Sequence, residues 1–135
     1  MNDMPQAIAE SVFSGLEPVA VWAHFAMLCR IPRQSKAEGP LRDEIRQWAL
    51  ARGLVVRVDG VGNLLIRKPA SVGREDAPVL VVQAHLDMVC QKNPGVAHDF
   101  SRDPIRPVCQ DGWLVAEDTT LGADNGIGVA LILAV

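Results

Sequence analysis

His85 and Asp87, one residue apart at the end of an apolar run, are the side chains in this sequence most able to do chemistry together. The run is Val79-Leu80-Val81-Val82-Gln83-Ala84-His85-Leu86-Asp87. Side chains alternate faces along a strand, so an imidazole and a carboxylate two positions apart point the same way. The pattern predicts a buried strand over 79–84 with His85 and Asp87 at its end. Ends of buried strands are where open α/β sheets keep their ligand sites. One reading is a metal-ligating histidine whose second ring nitrogen is fixed by a neighbouring carboxylate. The other is a buried, hydrogen-bonded histidine beside a strand-end aspartate. Spacing alone leaves both open.

Asp124 is the second candidate. It stands between Gly122-Ala123 and Asn125-Gly126 at the mouth of an apolar helix. An aspartate there serves either as an N-cap or as a metal ligand. The glycines of 122–128 do not make a phosphate loop: the Lys-Ser/Thr pair is missing and the spacing does not fit a dinucleotide fingerprint. His98-Asp99 reads as a surface loop pair and His24 as a helix-packing residue. Cys90 reads as a small structural cysteine, since a nucleophile needs a base and an activating environment. Glu117-Asp118 reads as a solvated turn.

These residues must be positioned by a modest number of elements. The chain has 135 residues, the size of one ordinary domain, with 49% hydrophobic and 21% charged residues. Net charge is -3, aromatics are 4%, and no basic run exceeds two residues. Nucleic-acid binding therefore has no footprint. Cys29, Cys90 and Cys109 are odd in number and far apart, which points away from a disulfide framework and toward a reducing cytoplasmic setting. Met1 to Leu16 lacks the pattern of a signal peptide, and no apolar run is long enough to span a bilayer.

Val19, Trp22, Phe25 and Cys29 recur at helical spacing, which predicts a helix over 18–29 stopped by Ile31-Pro32. Leu41, Ile45, Trp48 and Ala49 predict a second over 40–52, with Gly53 at its C-terminal cap. Ser35-x-x-Glu38 has the form of a capping box, but Gly39-Pro40 moves the helix start to Pro40. Residues 54–58 and 63–67 read as a hairpin about Asp59-Gly60-Val61-Gly62, and 68–78 as a loop. Residues 91–110 read as a long irregular segment and 112–116 as a short strand. A helix from about Asn125 follows, apolar all round over 126–135, a pattern that calls for burial on every side.

Four blocks then carry a resemblance: residues 61–69, Gln83-Ala84-His85-Leu86-Asp87-Met88-Val89, His98-Asp99-Phe100, and Thr119 to Gly128. In these, and in the Gln91-Lys92-Asn93 extension, the chain resembles the aminoacyl-histidine (Xaa-His) dipeptidases, the peptidase D or carnosinase-like branch of the aminoacylase/carboxypeptidase-G-type zinc peptidases. The resemblance implies an α/β fold: the N-terminal part of a zinc-peptidase catalytic domain, a mixed sheet flanked by helices, incomplete. Residues 18–135 would be that portion and 1–17 an N-terminal segment. It implies that His85 ligates one zinc and that Asp124 bridges two. Asp87 would be the catalytic-site carboxylate that holds the His85 ring without touching metal. Other divalent metals are possible. The Asp124–Asn125 bond is expected to be cis.

Dipeptides with a C-terminal histidine would be the substrates, and the complete enzyme a cytoplasmic homodimer without nucleic-acid or membrane partners. The family also needs a Glu-Glu pair and later ligands. This sequence has no Asp, Glu or His after Asp124 and no Glu-Glu. The expectation is an early portion of a longer enzyme, not competent alone. The alternatives are a non-catalytic remnant or interaction module, or a related aminoacylase or amidohydrolase.

Overall fold

A computed structural model describes residues 12–135. The part of the N-terminal segment before residue 12 lies outside them. Helix α1 is Val19–Arg30 and α2 is Gly39–Leu50. Strands β1, Val55–Val58, and β2, Leu64–Arg67, form one ribbon. Strands β3, Pro107–Gln110, and β4, Trp113–Ala116, form another, and α3 is Ala123–Leu133.

Both first helices follow their sequence signals. Pro18, extended at φ -73° and ψ 133°, caps α1. Ile31 ends it in extended geometry because the residue before a proline is pushed out of the helical region. In α2, Leu41, Ile45 and Ala49 line one buried stripe at i, i+4, i+8. Gly53 caps it as expected. At φ 71° its N–H bonds the Leu50 carbonyl while the Leu54 N–H reaches back to Ala49, the paired bonds of a Schellman turn. The Ser35/Glu38 box does not form: Glu38 accepts from the Lys36 N–H, and the Ser35 hydroxyl is used elsewhere.

The β1–β2 hairpin appears where expected, with Val55 opposite Arg67 and Val58 opposite Leu64. Asp59 organises its turn by accepting from the Val61 and Asn63 N–H groups at 3.0 and 2.8 Å. The β3–β4 hairpin takes up the end of the segment read as irregular. Its turn is Asp111-Gly112, both with positive φ (51° and 82°). That is the Asp-Gly signature of a type I′ hairpin turn.

The core is drawn from all three helices. Phe25, Leu28 and Cys29 of α1, Leu41 and Ile45 of α2, and Val129, Ala130 and Leu133 of α3 belong to one buried cluster together with Met88 and Ile105. Phe13 completes an aromatic group with Trp22 and Phe25, centroids 6.1–6.3 Å apart. His24 packs edge-on against Trp48 at 5.1 Å, the helix-packing role expected of it. Helix α3 buries only the stripe that faces α1. Leu131 on its other side is 52% exposed, short of the all-round burial its composition calls for.

The helix-and-sheet class holds, but the sheet consists of two two-stranded antiparallel ribbons among the described residues, not one mixed sheet. The buried strand expected over 79–84 is not there. Val79, Leu80 and Val81 are each at least 80% exposed and form no ladder. A strand is held by its neighbours' backbone groups, and none of the described segments pairs with this one. The amides of 79–83 are therefore expected to exchange with solvent deuterium near unprotected rates, while those of α1 and α2 are held back. Protection of 79–83 comparable to that of the helices would overturn this account.

Candidate metal site

The site is assembled from two stretches far apart in sequence. His85 and Asp87 come from the extended segment after the exposed run. Asp124 comes from the entrance to α3. The entrance is not yet helical: Asp124 and Asn125 have ψ of 107° and 35°, and the bond between them is cis, as the resemblance implied. Regular helix begins at Gly126, whose N–H bonds the Gly122 carbonyl at 3.1 Å. Asp124 is thus no side-chain cap, and its carboxylate is 95% exposed.

His85 meets a carboxylate at each ring nitrogen. Nδ1 lies 3.0 Å from Asp87 Oδ1, and Nε2 lies 3.1 Å from Asp124 Oδ1. A neutral imidazole can donate at only one nitrogen. Desolvation lowers the His85 pKa, but the hydrogen bonds that the ring donates to the Asp124 and Asp87 carboxylates outweigh it, and the net shift is upward. Once Nδ1–H donates to Asp87, the Nε2 lone pair and the Asp124 carboxylate face one another as two donors for a cation. The Asp87 carboxyl is held below the usual carboxylate range, first by the Ser35 hydroxyl on its Oδ2 and then by His85.

Two devices bring the halves together. Thr120 is stitched to the segment just after Asp87: its N–H bonds the Gln91 carbonyl at 2.9 Å and its hydroxyl the Val89 carbonyl at 2.6 Å. The Asn93 N–H donates to the Asp118 carbonyl beside it. The second device is Arg33. Buried to 2% exposure, it donates from Nη1 to the Leu86 carbonyl at 3.1 Å and from Nη2 to the Gly122 carbonyl at 2.7 Å. The sequence pattern marked Ser35 only as half of an apparent capping box and did not mark Arg33 at all. The signal for Arg33 was its place directly after a proline-stopped helix.

The structure therefore joins all three candidate residues, His85, Asp87 and Asp124. Others stay apart. Asp99 is occupied in a local turn with Ser101, and His98 packs against Phe100. Burial pushes the Cys29 thiol up to about 12 and raises that of Cys90, so neither is poised as a nucleophile. Among the described residues, no three or more His, Cys, Asp and Glu side chains gather as a metal cluster. No described helix is long and apolar enough to cross a membrane.

Comparison with known structures gives the class. The chain superposes on aminoacylhistidine dipeptidase from Vibrio alginolyticus with a TM-score of 0.88 and 48% identity, covering 90% of this chain and 25% of that one. A tripeptidase from Staphylococcus aureus shares the fold at a TM-score of 0.66 and 23% identity, over 85% of this chain and 30% of that one. The fold is that of a peptidase catalytic domain. Among curated proteins, the cytosol non-specific dipeptidase of Escherichia coli strain K12 is 51% identical over 125 residues, 93% of this chain. The resemblance to the peptidase D dipeptidases is thus shown. It spans about a quarter (26%) of that relative's length. No family model matches it.

Proposed function

We propose that this chain supplies part of the catalytic domain of a metal-dependent dipeptidase, with His85 and Asp124 as metal ligands and Asp87 as the carboxylate that orients His85. The observation that carries the reading is the 3.1 Å approach of His85 Nε2 to Asp124 Oδ1 while Nδ1 is held by Asp87. Two donors on one zinc, each at about 2.0–2.2 Å, stand roughly 3–3.5 Å apart, and the observed distance fits that range. An imidazole nitrogen and a carboxylate oxygen are also the donor types zinc takes, and other divalent metals are accommodated by the same pair. The exposure of Asp124 leaves its second oxygen free for a second ion.

When bound, the metal supplies polarisation of a peptide carbonyl and a more acidic water. The chain's own residues do the rest of what is visible here. Asp87 takes the Nδ1 proton as a hydrogen bond, which fixes the tautomer that leaves Nε2 free. Ser35 turns Asp87 so that one oxygen faces the ring. Two donors are fewer than the three or four a zinc site uses, so the remaining ligands and the general base lie outside the described residues of this chain.

For substrate, the names of the two similar proteins support dipeptides, with C-terminal histidine among the accepted residues. The relative's description as cytosolic supports a cytoplasmic setting, and a homodimer is the proposed assembly. The names also favour a dipeptidase over an aminoacylase or amidohydrolase. The test is a full-length protein carrying this sequence, assayed with Xaa-His dipeptides, other dipeptides and N-acyl amino acids, before and after chelation. Chelator-sensitive cleavage of dipeptides is expected. Preference for N-acyl amino acids would move the reading to an amidohydrolase, and activity that survives complete metal removal would end it.

A further inference from the structure

We propose that Arg33 is a positioning residue that sets the separation of His85 from Asp124. This rests on the reading of those two as paired donors. Among the described residues, the guanidinium is the side chain that grips both sides of the site close to both donors. Its Nη1 holds the carbonyl of Leu86, the residue after His85, and more distantly that of Asp87 at 3.5 Å. Its Nη2 holds the carbonyl of Gly122, two residues before Asp124. A planar fork can span two carbonyls in fixed directions, whereas an ammonium is a point charge on a flexible stem.

The glycines around Asp124 are shaped to this group. A Cβ on Gly122 would collide with Arg33 Nη2 and stand 2.8 Å from Met88 Sδ, at a φ of +73°. A Cβ on Gly126 would lie 2.9 Å from Arg33 Nη2 and 3.0 Å from Phe25 Cε2. Both lack side chains where the guanidinium passes. The arm that carries Arg33 is itself fixed: the Met88 N–H donates to the Arg33 carbonyl at 3.1 Å, and Gln34 pairs with Met88 as an isolated parallel bridge. Burying a guanidinium is costly, and its Nε finds no partner among the described residues. A residue serving only the core would be better replaced by a leucine or methionine.

The position makes an asymmetric prediction. His85 and Asp87 belong to one short segment, so their contact survives loss of the clamp. The contact of His85 with Asp124, 39 residues away, depends on it. In the 15N-labelled 135-residue chain at fixed pH, Arg33→Lys and Gly126→Ala are expected to shift the His85 Nε2 resonance while Nδ1 stays near its wild-type value. Zinc added to the same samples is expected to perturb the His85 ring with affinity reduced about 10–100-fold, the usual scale for loss of a supporting partner.

Unchanged Nε2 resonances in both variants would overturn the proposal, as would equal movement of both nitrogens, which marks general loosening. If Arg33→Lys unfolds, Gly126→Ala decides, since it keeps Arg33 and displaces it. A wild-type ring that ignores zinc would defeat the metal reading instead. The metal-free Nε2 comparison would still stand or fall by itself.

Discussion

Zinc added to this 135-residue chain is expected to bind weakly through His85 and Asp124, and no dipeptide is expected to be cleaved. A complete structural zinc site is worth about 10–16 kcal/mol, and two of four donors supply on the order of half, which places the dissociation constant between roughly micromolar and submillimolar. His85→Ala is expected to abolish saturable binding. Asp87→Ala, which removes the acceptor on Nδ1 and leaves the tautomer free, is expected to weaken it about 10–100-fold. Hydrolysis additionally needs a base, and Asp87, the other carboxylate at the site, is engaged by both His85 and Ser35. Calorimetry with zinc and a peptide-release assay check both parts. Two tightly bound zinc ions with turnover would refute the expectation and show that the described residues suffice.

Phe25→Ala is expected to lower stability by about 3–5 kcal/mol, the range for emptying a buried phenylalanine site. Native domains are stable by only about 5–15 kcal/mol, so this single change removes a large share. Phe25 is 1% exposed and sits at the junction of α1 with α3. It meets Phe13 and Trp22 edge-on, contacts worth about 0.5–1.5 kcal/mol each beyond burial. Its ring also lies beneath Gly126, so its loss frees the start of the helix that carries Asp124. Urea unfolding should show a lower midpoint with an unchanged slope. Val79→Ser is the contrast: at 88% exposure it should shift stability by no more than about 0.5 kcal/mol. A Phe25→Ala midpoint equal to the wild type would mean that α1 and α3 do not pack as described.

Local signals were read well wherever the chain makes its own case. Pro32 ended α1, Gly53 capped α2, and the Asp59 turn closed β1 on β2. Each depends on backbone preferences of a few adjacent residues. Asp111-Gly112 is of the same kind and could have been read. Val79 to Val82 could not. An apolar run announces that it is fit for burial, but whether it is buried depends on which other segments lie beside it. Helix α3 repeats the lesson, with one apolar side packed on α1 and the other open.

The site divides the same way. By itself the sequence determined the donor types, the alternation that keeps His85 and Asp87 on one side, and the family likeness of the blocks around them. Residue chemistry and short-range geometry are written in order along the chain. Only the tertiary structure decided that Asp124 would stand 3.1 Å from His85, that Ser35 would hold Asp87, and that Arg33 would brace both halves. Those contacts close loops of 39 to 89 residues. Their partners are chosen by how the helices pack and where a guanidinium finds room beside two glycines, and no spacing rule along the chain encodes that.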